Sequence, residues 1–302
     1  MIYIGIAVVA LTILLYASDM FIESAEKIGL SMGISPFIVG VTIVAFGTSL
    51  PELAASIASV ISGSSEIVIG NVVGSNITNI LLVLGLTAMV GKFTLDFDIW
   101  EVDMPLLLGS SFLMYFTLSD GHFTYIEAIL YLVALAGFLI NSMTGESSHQ
   151  NEREKIILKD IIKMIIGGVL IYMGAKYTIF GIEKVSEIAG ISPEIISLTF
   201  VSLGTSLPEV VVSLSAAKKG KHAIAVGNVL GSNIFNSYAV MAIPSFIGEL
   251  NIPPNVTSFS LPFMVAVTVI FGAMTISKVI CRWEGLFLLI FYVFYLTEQF
   301  SL

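Results

Sequence analysis

The chain has 302 residues, of which 56% are hydrophobic and only 12% charged, with a mean hydropathy of +0.98. Soluble domains carry about 25% charged residues, so a water-covered globule of this length is excluded. A net charge of −9 without a long basic tract argues against nucleic acid as a partner, and the lone Cys281 excludes a disulfide framework or a cysteine metal site.

In chain order, apolar runs separated by polar breaks predict ten membrane spans, over residues 2–25, 36–62, 67–91, 99–118, 124–142, 160–182, 193–217, 222–248, 257–277 and 283–299. A spanning helix needs about 20 mostly apolar residues. Residues 1–25 lack a basic leader and a cleavage site, so they read as a retained first helix rather than a signal peptide. The long polar stretch, Met143–Lys159, divides the chain near its middle and has the composition of a tether, not of a regulatory domain.

The halves match in ungapped register at an offset of 157. Gly47-Thr-Ser-Leu-Pro-Glu52 recurs as Gly204-Thr-Ser-Leu-Pro-Glu209, and Gly33-Ile-Ser-Pro36 as Gly190-Ile-Ser-Pro193. Glu26-Lys27 falls on Glu183-Lys184, Gly70-Asn71 on Gly227-Asn228, and Gly74-Ser-Asn-Ile77 on Gly231-Ser-Asn-Ile234. This is a duplication. Five spans per half is an odd number, so the second half enters the membrane from the opposite side. The expected fold is all-α and integral to the membrane, with ten helices as two inverted five-helix repeats. Residues 1–143 form the first, 144–159 a connecting loop and 160–302 the second, with helices 2, 3, 7 and 8 broken around a midplane ion site. Basic residues collect on one side, in loops holding Lys27, Lys92, Arg153, Lys155, Lys159, Lys218, Lys219, Lys221, Lys278 and Arg282. The positive-inside rule makes that side, with the central loop, cytoplasmic and puts both termini outside the cell.

Glu52 stands about ten residues before the end of its span, about 15 Å deep and near the midplane. Glu209 has the equivalent place. A carboxylate there costs at least about 2.5–3.5 kcal/mol unless compensated, and neither helix supplies a nearby Lys or Arg. Paired acids of this kind converge on bound cations; the plainer alternative is a protonated glutamate bonding neighbouring helices. Thr48 and Ser49 share a helical face with Glu52, as Thr205 and Ser206 do with Glu209. Pro51 and Pro208 lack an N–H and free the carbonyls of Gly47 and Gly204. The next helix of each half carries a polar stripe at spacing four: Asn71, Ser75 and Asn79, then Asn228, Ser232 and Asn236. Asn79 and Asn236 lie nearest the midplane and are the best ligands of the stripe, with bonding between helices as the alternative. Gly70/Gly74 and Gly227/Gly231 form small-xxx-small pairs suited to close packing. Carboxylates, hydroxyls and carbonyls are the hard oxygen ligands that Ca²⁺ and Na⁺ prefer.

Gly47-Thr-Ser-Leu-Pro-Glu52 followed by Gly70-Asn-Val-Val-Gly-Ser-Asn-Ile-Thr-Asn79 resembles the first alpha repeat of the sodium/calcium exchanger family, within the cation/calcium antiporter superfamily. Gly204 through Asn236 resembles the second. The resemblance covers the chain and suggests a potassium-independent, prokaryotic-type member. It implies Glu52 and Glu209 as central metal ligands with Asn79 and Asn236 beside them. Thr48, Ser49, Ser75, Thr205, Ser206 and Ser232 are implied to line the sites, with backbone oxygens of Ala45 and Ser202. Helices 1 and 6 are implied to slide against a fixed core. In the potassium-dependent branch the position of Asn236 is typically Asp. The proton-coupled branch usually has an extra acid in the motif that here reads Gly70-Asn-Val-Val-Gly74.

The expected activity is therefore Ca²⁺/Na⁺ antiport, electrogenic and independent of K⁺, with Ca²⁺/H⁺ antiport as the nearest alternative. A channel and an intramembrane hydrolase fit the inverted halves and the ligand-rich surroundings less well. No catalytic role, cofactor or protein partner is expected; the partners are Ca²⁺ and Na⁺, or H⁺, and the lipid bilayer of the cell membrane. Asp19, Glu23, Asp96, Asp98, Asp103 and Glu127 read as solvated residues near interfaces. His122, His149 and His222 lie in or beside loops and suggest no proton relay or zinc site. Asn255-Val-Thr257 matches a glycosylation sequon.

Overall fold

A computed structural model describes residues 2–91, 93–95, 99–144, 158–188 and 204–301. The described chain is helical apart from one short ribbon. The helices are α1 Ile2–Met32, α2 Pro36–Ile61, α3 Glu66–Val90, α4 Asp103–Leu118 and α5 Tyr125–Thr144. They continue as α6 Leu158–Ile188, α7 Leu207–Lys218, α8 over residues 222–245, α9 Val256–Thr275 and α10 Arg282–Ser301. Phe93–Thr94 pairs antiparallel with Val279–Ile280, a ribbon that the all-helical expectation did not include.

Local chemistry sets the helix ends. Gly33, at φ 80°, stops α1 while the Ile34 N–H bonds back to the Gly29 carbonyl. Ser35 then accepts from the Ile38 N–H, and Pro36 opens α2 where its missing N–H is harmless. Gly63 and Gly220 adopt the same left-handed conformation after α2 and α7. Thr124 and Glu127 cap α5 reciprocally, so Glu127 is a capping residue as well as a solvated one.

Among the described residues six helices have the length and apolarity to cross a bilayer: α1, α2, α3, α5, α6 and α9, with α4 apolar but shorter. α8 carries His222, Asn228, Ser232, Asn233 and Asn236, and α10 begins and ends in charged residues, which lowers their apolarity. Of the expected seventh span only the part from Gly204 onward falls within the described residues. Large apolar side chains such as Ile126, Leu130 and Val133 of α5 and Ile290 and Val293 of α10 point outward, as lipid-facing residues do.

The helices are less interrupted than expected. α2 runs through Pro51 without a break; its irregularity is a π-helical turn at Gly40–Val44, about two turns earlier. α3 and α8 likewise continue through π-helical turns at Asn79–Leu84 and Asn236–Val240. A π turn absorbs an extra residue without ending the helix. A break does occur before α7, where Ser206 leaves the helix two residues ahead of Pro208.

α1 and α6 pack antiparallel along their length. Leu14 meets Gly174, Ala7 meets Gly181 and Phe21 meets Gly167; a methyl added at Gly174 or Gly181 would lie 2.8 Å from the Leu14 or Ala7 Cβ. These two helices share a small core with parts of α2 and α7, including Leu14, Ile22, Val44, Ile171 and Val212. A second and larger core joins α3, α4, α5, α8, α9 and α10 through residues such as Ile77, Met104, Tyr131, Leu230 and Phe271. Gly227 of α8 lets that helix cross α2 closely, since a Cβ there would sit 2.6 Å from the Phe37 carbonyl oxygen. Gly70 does not behave as its counterpart: the space beside it is open, so the expected packing role holds for Gly227 and fails for Gly70.

Candidate cation site

Glu52 of α2 and Glu209 of α7 are both buried, 1% and 0% exposed, and close enough to interact electrostatically. Their helices are polar on the same face because Thr48, Ser49 and Glu52 fall within one turn, as do Thr205, Ser206 and Glu209. The Asn79 turn packs against the Glu209 helix, and the Asn236 turn packs against the Glu52 helix, so each half's amide faces the other half's acid helix. No ion pair joins either glutamate to a basic residue among the described residues.

The expected residues divide into two sets by their hydrogen bonds. In the first, the Ser49 hydroxyl, both Glu52 carboxylate oxygens and both polar atoms of the Asn79 amide are buried without a hydrogen-bond partner. Ser206, Glu209 and Asn236, their equivalents 157 positions on, likewise make no hydrogen bond of normal geometry, although the Glu209 carboxylate lies within reach of the Thr48 and Ser49 hydroxyls. A buried polar atom left unpaired costs about 1–3 kcal/mol, and more if charged. An arrangement this costly is one that cations with their residual water are suited to satisfy.

The second set is already engaged. The Thr48 hydroxyl lies 3.1 Å from Asn228 Oδ1, 3.3 Å from the Ala45 carbonyl oxygen and 3.3 Å from the Ser232 hydroxyl. In the opposite half Thr205 donates to Asn71 Oδ1 at 3.2 Å, and Ser75 donates to the same atom at 3.5 Å. These hydroxyls line the site while anchored to the walls. Ser202 lies outside the described residues.

Four residues absent from the expected ligand set emerge as supports. The Asn71 amide nitrogen donates to Ser56 Oγ at 3.0 Å and to the Glu52 carbonyl at 3.2 Å, and that of Asn228 donates to Ser213 Oγ at 3.0 Å. Each asparagine thus ties a serine of the acid helix in its own half to a threonine of the other. Ser56 and Ser213 also match at the offset of 157, a signal present in the sequence. No cluster of three or more His, Cys, Asp or Glu side chains occurs among the described residues, so the donors here are mixed carboxylates, amides and hydroxyls.

Of the residues read as solvated, Asp103 is placed differently, while Asp19 and Glu23 are about half exposed and also form ion pairs. Asp103 is buried at the start of α4. Asp19 and Glu23 pair with Lys219 at 3.2 and 2.9 Å, and Glu26 pairs with Lys221 at 2.5 Å. Asp96, Asp98 and His149 lie outside the described residues.

Apolar helices around two matched, buried acids define an integral membrane protein with a candidate cation site at its centre. A family model described as sodium/calcium exchanger protein matches residues 2–144 and 159–301, and the chain belongs to that family. It is 34% identical to the sodium/calcium exchanger MaX1 of Methanosarcina acetivorans, over 98% of this chain and 97% of that one. It is 30% identical to the inner membrane protein YrbG of Escherichia coli, over 89% of this chain and 87% of the relative. A solved structure of the sodium-calcium exchanger NCX_Mj, soaked with 2.5 mM Na⁺ and 10 mM Sr²⁺, superposes with a TM-score of 0.87 at 29% identity, covering 98% of both chains.

Proposed function

We propose that the chain is a secondary antiporter that exchanges Ca²⁺ for Na⁺ across the cell membrane by alternating access. The observation that carries this reading is the matched set of buried, unpaired oxygens on Ser49, Glu52, Asn79, Ser206, Glu209 and Asn236. Glu52 and Glu209 are the central ligands, Asn79 and Asn236 flank them, and the Ser49 and Ser206 hydroxyls complete the inner set. Thr48, Thr205, Ser75 and Ser232, with backbone oxygens of Ala45 and Ser202, line the surrounding positions. The two acids balance one Ca²⁺. Three Na⁺, the count the family resemblance implies, would carry one charge in excess, so exchange at that ratio moves net charge. With neutral amides at both Asn79 and Asn236, no K⁺ is required.

The architecture that serves this exchange is ten crossings in two inverted repeats, residues 1–143 and 160–302, joined by a cytoplasmic tether over 144–159. Both termini lie outside the cell. The antiparallel packing of α1 on α6 supports the inversion, as do the matching Thr48–Asn228 and Thr205–Asn71 contacts. That α1 and α6 pack along their length on each other, and meet only parts of α2, α7 and α8 in their shared core, supports their sliding as a pair. No catalytic role and no protein partner is part of this reading.

The test is radioactive Ca²⁺ uptake into proteoliposomes under separately imposed Na⁺ and pH gradients. An outward Na⁺ gradient should drive uptake and a pH gradient alone should not. Uptake driven by the pH gradient alone would assign proton coupling instead.

A further inference from the structure

Lys176 lies inside a membrane-spanning stretch of α6, where a cation needs a reason to be. It lines a cavity of about 450 Å³ whose wall also includes Pro51, Ala55, Ala58, Gly204 and Thr205. The side chain is exposed, and no ion pair engages it among the described residues. An ammonium within a hydrocarbon layer must reach water, and this cavity, whose wall is otherwise largely apolar with Tyr172, Ala175, Ile179 and Phe180, is the space open to it. It ends on Thr205, one helical turn before Glu209 and hydrogen-bonded to Asn71. The cavity therefore brings Lys176 to the same wall as Thr205, at the rim of the candidate cation site.

The duplicated half arranges the same place in another way. The equivalent of Lys176, 157 positions earlier, is Asp19, which accepts a hydrogen bond from Ser215 and an ion pair from Lys219. Ser215 is the equivalent of Ala58 in the cavity wall, and Lys219 that of Ser62. One end of the molecule thus carries a half-exposed acid paired with a lysine, and the other a positive charge that no ion pair engages among the described residues, beside an open cavity. A symmetric scaffold has been made asymmetric in charge at its two approaches.

We propose that Lys176 is a specificity-determining residue that selects against divalent cations at one face of the transporter. The inference rests on the antiport reading above and deepens it. Repulsion scales with the charge of the approaching ion, so the penalty for Ca²⁺ is twice that for Na⁺ in free energy and its square in concentration. At a separation of about 10 Å in water a unit charge changes half-saturation about twofold for Na⁺ and about fourfold for Ca²⁺. The effect is largest at low ionic strength.

The experiment compares the parent with Lys176→Gln, Lys176→Asp and Lys176→Arg. Equilibrium binding of radioactive Ca²⁺ to purified protein at low ionic strength comes first, then initial Ca²⁺ uptake rates in intact cells and in inverted membrane vesicles, which present opposite faces. Lys176→Gln should lower KM for Ca²⁺ about fourfold at one face only, with about twofold for Na⁺ in the matching competition. Lys176→Asp should shift both further, to about the squares of those factors, and Lys176→Arg should match the parent. Unchanged Ca²⁺ binding and unchanged KM at both faces would overturn the proposal, as would equal shifts at both faces or equal factors for the two ions. A parent that binds Ca²⁺ but shows no Na⁺-driven flux would refute the antiport reading instead, leaving the binding comparison to decide the role of Lys176.

Discussion

Asn233 donates its side-chain amide to the main-chain carbonyl of Asn76 at 3.3 Å, and the two residues occupy the same position of the two repeats. Equivalent residues touch only where the axis relating them passes. Ser111 and Thr268, another pair separated by 157, hydrogen bond at 3.2 Å. The two contacts are those expected of the proposed inverted repeats if a local two-fold axis passes between α3 and α8 and between α4 and α9. A cation held between Glu52 and Glu209, as proposed, would meet like donors from both sides.

Close packing of α8 on α2 has no slack at Gly227. Gly227→Ala places a methyl 2.6 Å from a backbone oxygen, and backbone has little freedom to yield. Gly70→Ala meets nothing within 4 Å and gains about 1 kcal/mol of helix propensity. Thermal stability in detergent should fall for the first variant and hold or rise for the second. Equal behaviour would mean that the α2/α8 crossing is looser than described.

The Asn71–Thr205 hydrogen bond joins the two halves at the site wall. A double-mutant cycle with Asn71→Ala and Thr205→Ala should give a coupling of about 0.5–1.5 kcal/mol in Ca²⁺ binding, in the range found for membrane hydrogen bonds. Asn228→Ala with Thr48→Ala should give a similar value. Additive effects in both cycles would remove the asparagines from the support of the site.

The neutral amide at Asn236 bears on potassium. Replacing K⁺ by an inert organic cation at clamped membrane potential should leave Na⁺-driven Ca²⁺ flux unchanged, and an inside-negative or inside-positive potential should alter its rate. A strict K⁺ requirement would contradict the role given to Asn236. Electroneutral exchange would contradict the charge balance.

A tether has no sequence requirement. Exchange of Glu146–Arg153 for a flexible linker of equal length should leave flux within about twofold of the parent, since doubling even a free loop changes its closure cost by only about 0.6 kcal/mol. Loss of ion dependence at normal expression would make the segment a regulator.

The acids of the site were legible in the sequence because a buried charge is expensive and the Gly-Thr-Ser-Leu-Pro-Glu motif occurs twice. Asn71 and Asn228 were visible as polar stripes, but the atoms they would engage depend on how α3 and α8 cross the opposite half. Ser56 and Ser213 matched at the repeat offset and drew no notice, since a lone serine in a membrane helix usually bonds its own backbone. Pro51 and Pro208 share one motif, yet α2 continues through the first and the chain turns just before the second. Proline alone predicts a lost hydrogen bond, whereas the neighbouring helices decide between a π turn upstream and a break. Lys176 was hidden inside an apolar span, where loop-based charge counting does not look.

The central claim is that Glu52 and Glu209 together hold the transported ions. Removing one charge leaves an anionic site too weak to strip water from Ca²⁺. Na⁺-gradient-driven Ca²⁺ uptake should be measured in proteoliposomes containing Glu52→Gln or Glu209→Gln protein, each checked for monodisperse folding before reconstitution. Uptake at the level of empty liposomes in both variants is the predicted result. Near-parental exchange by either variant would contradict the account.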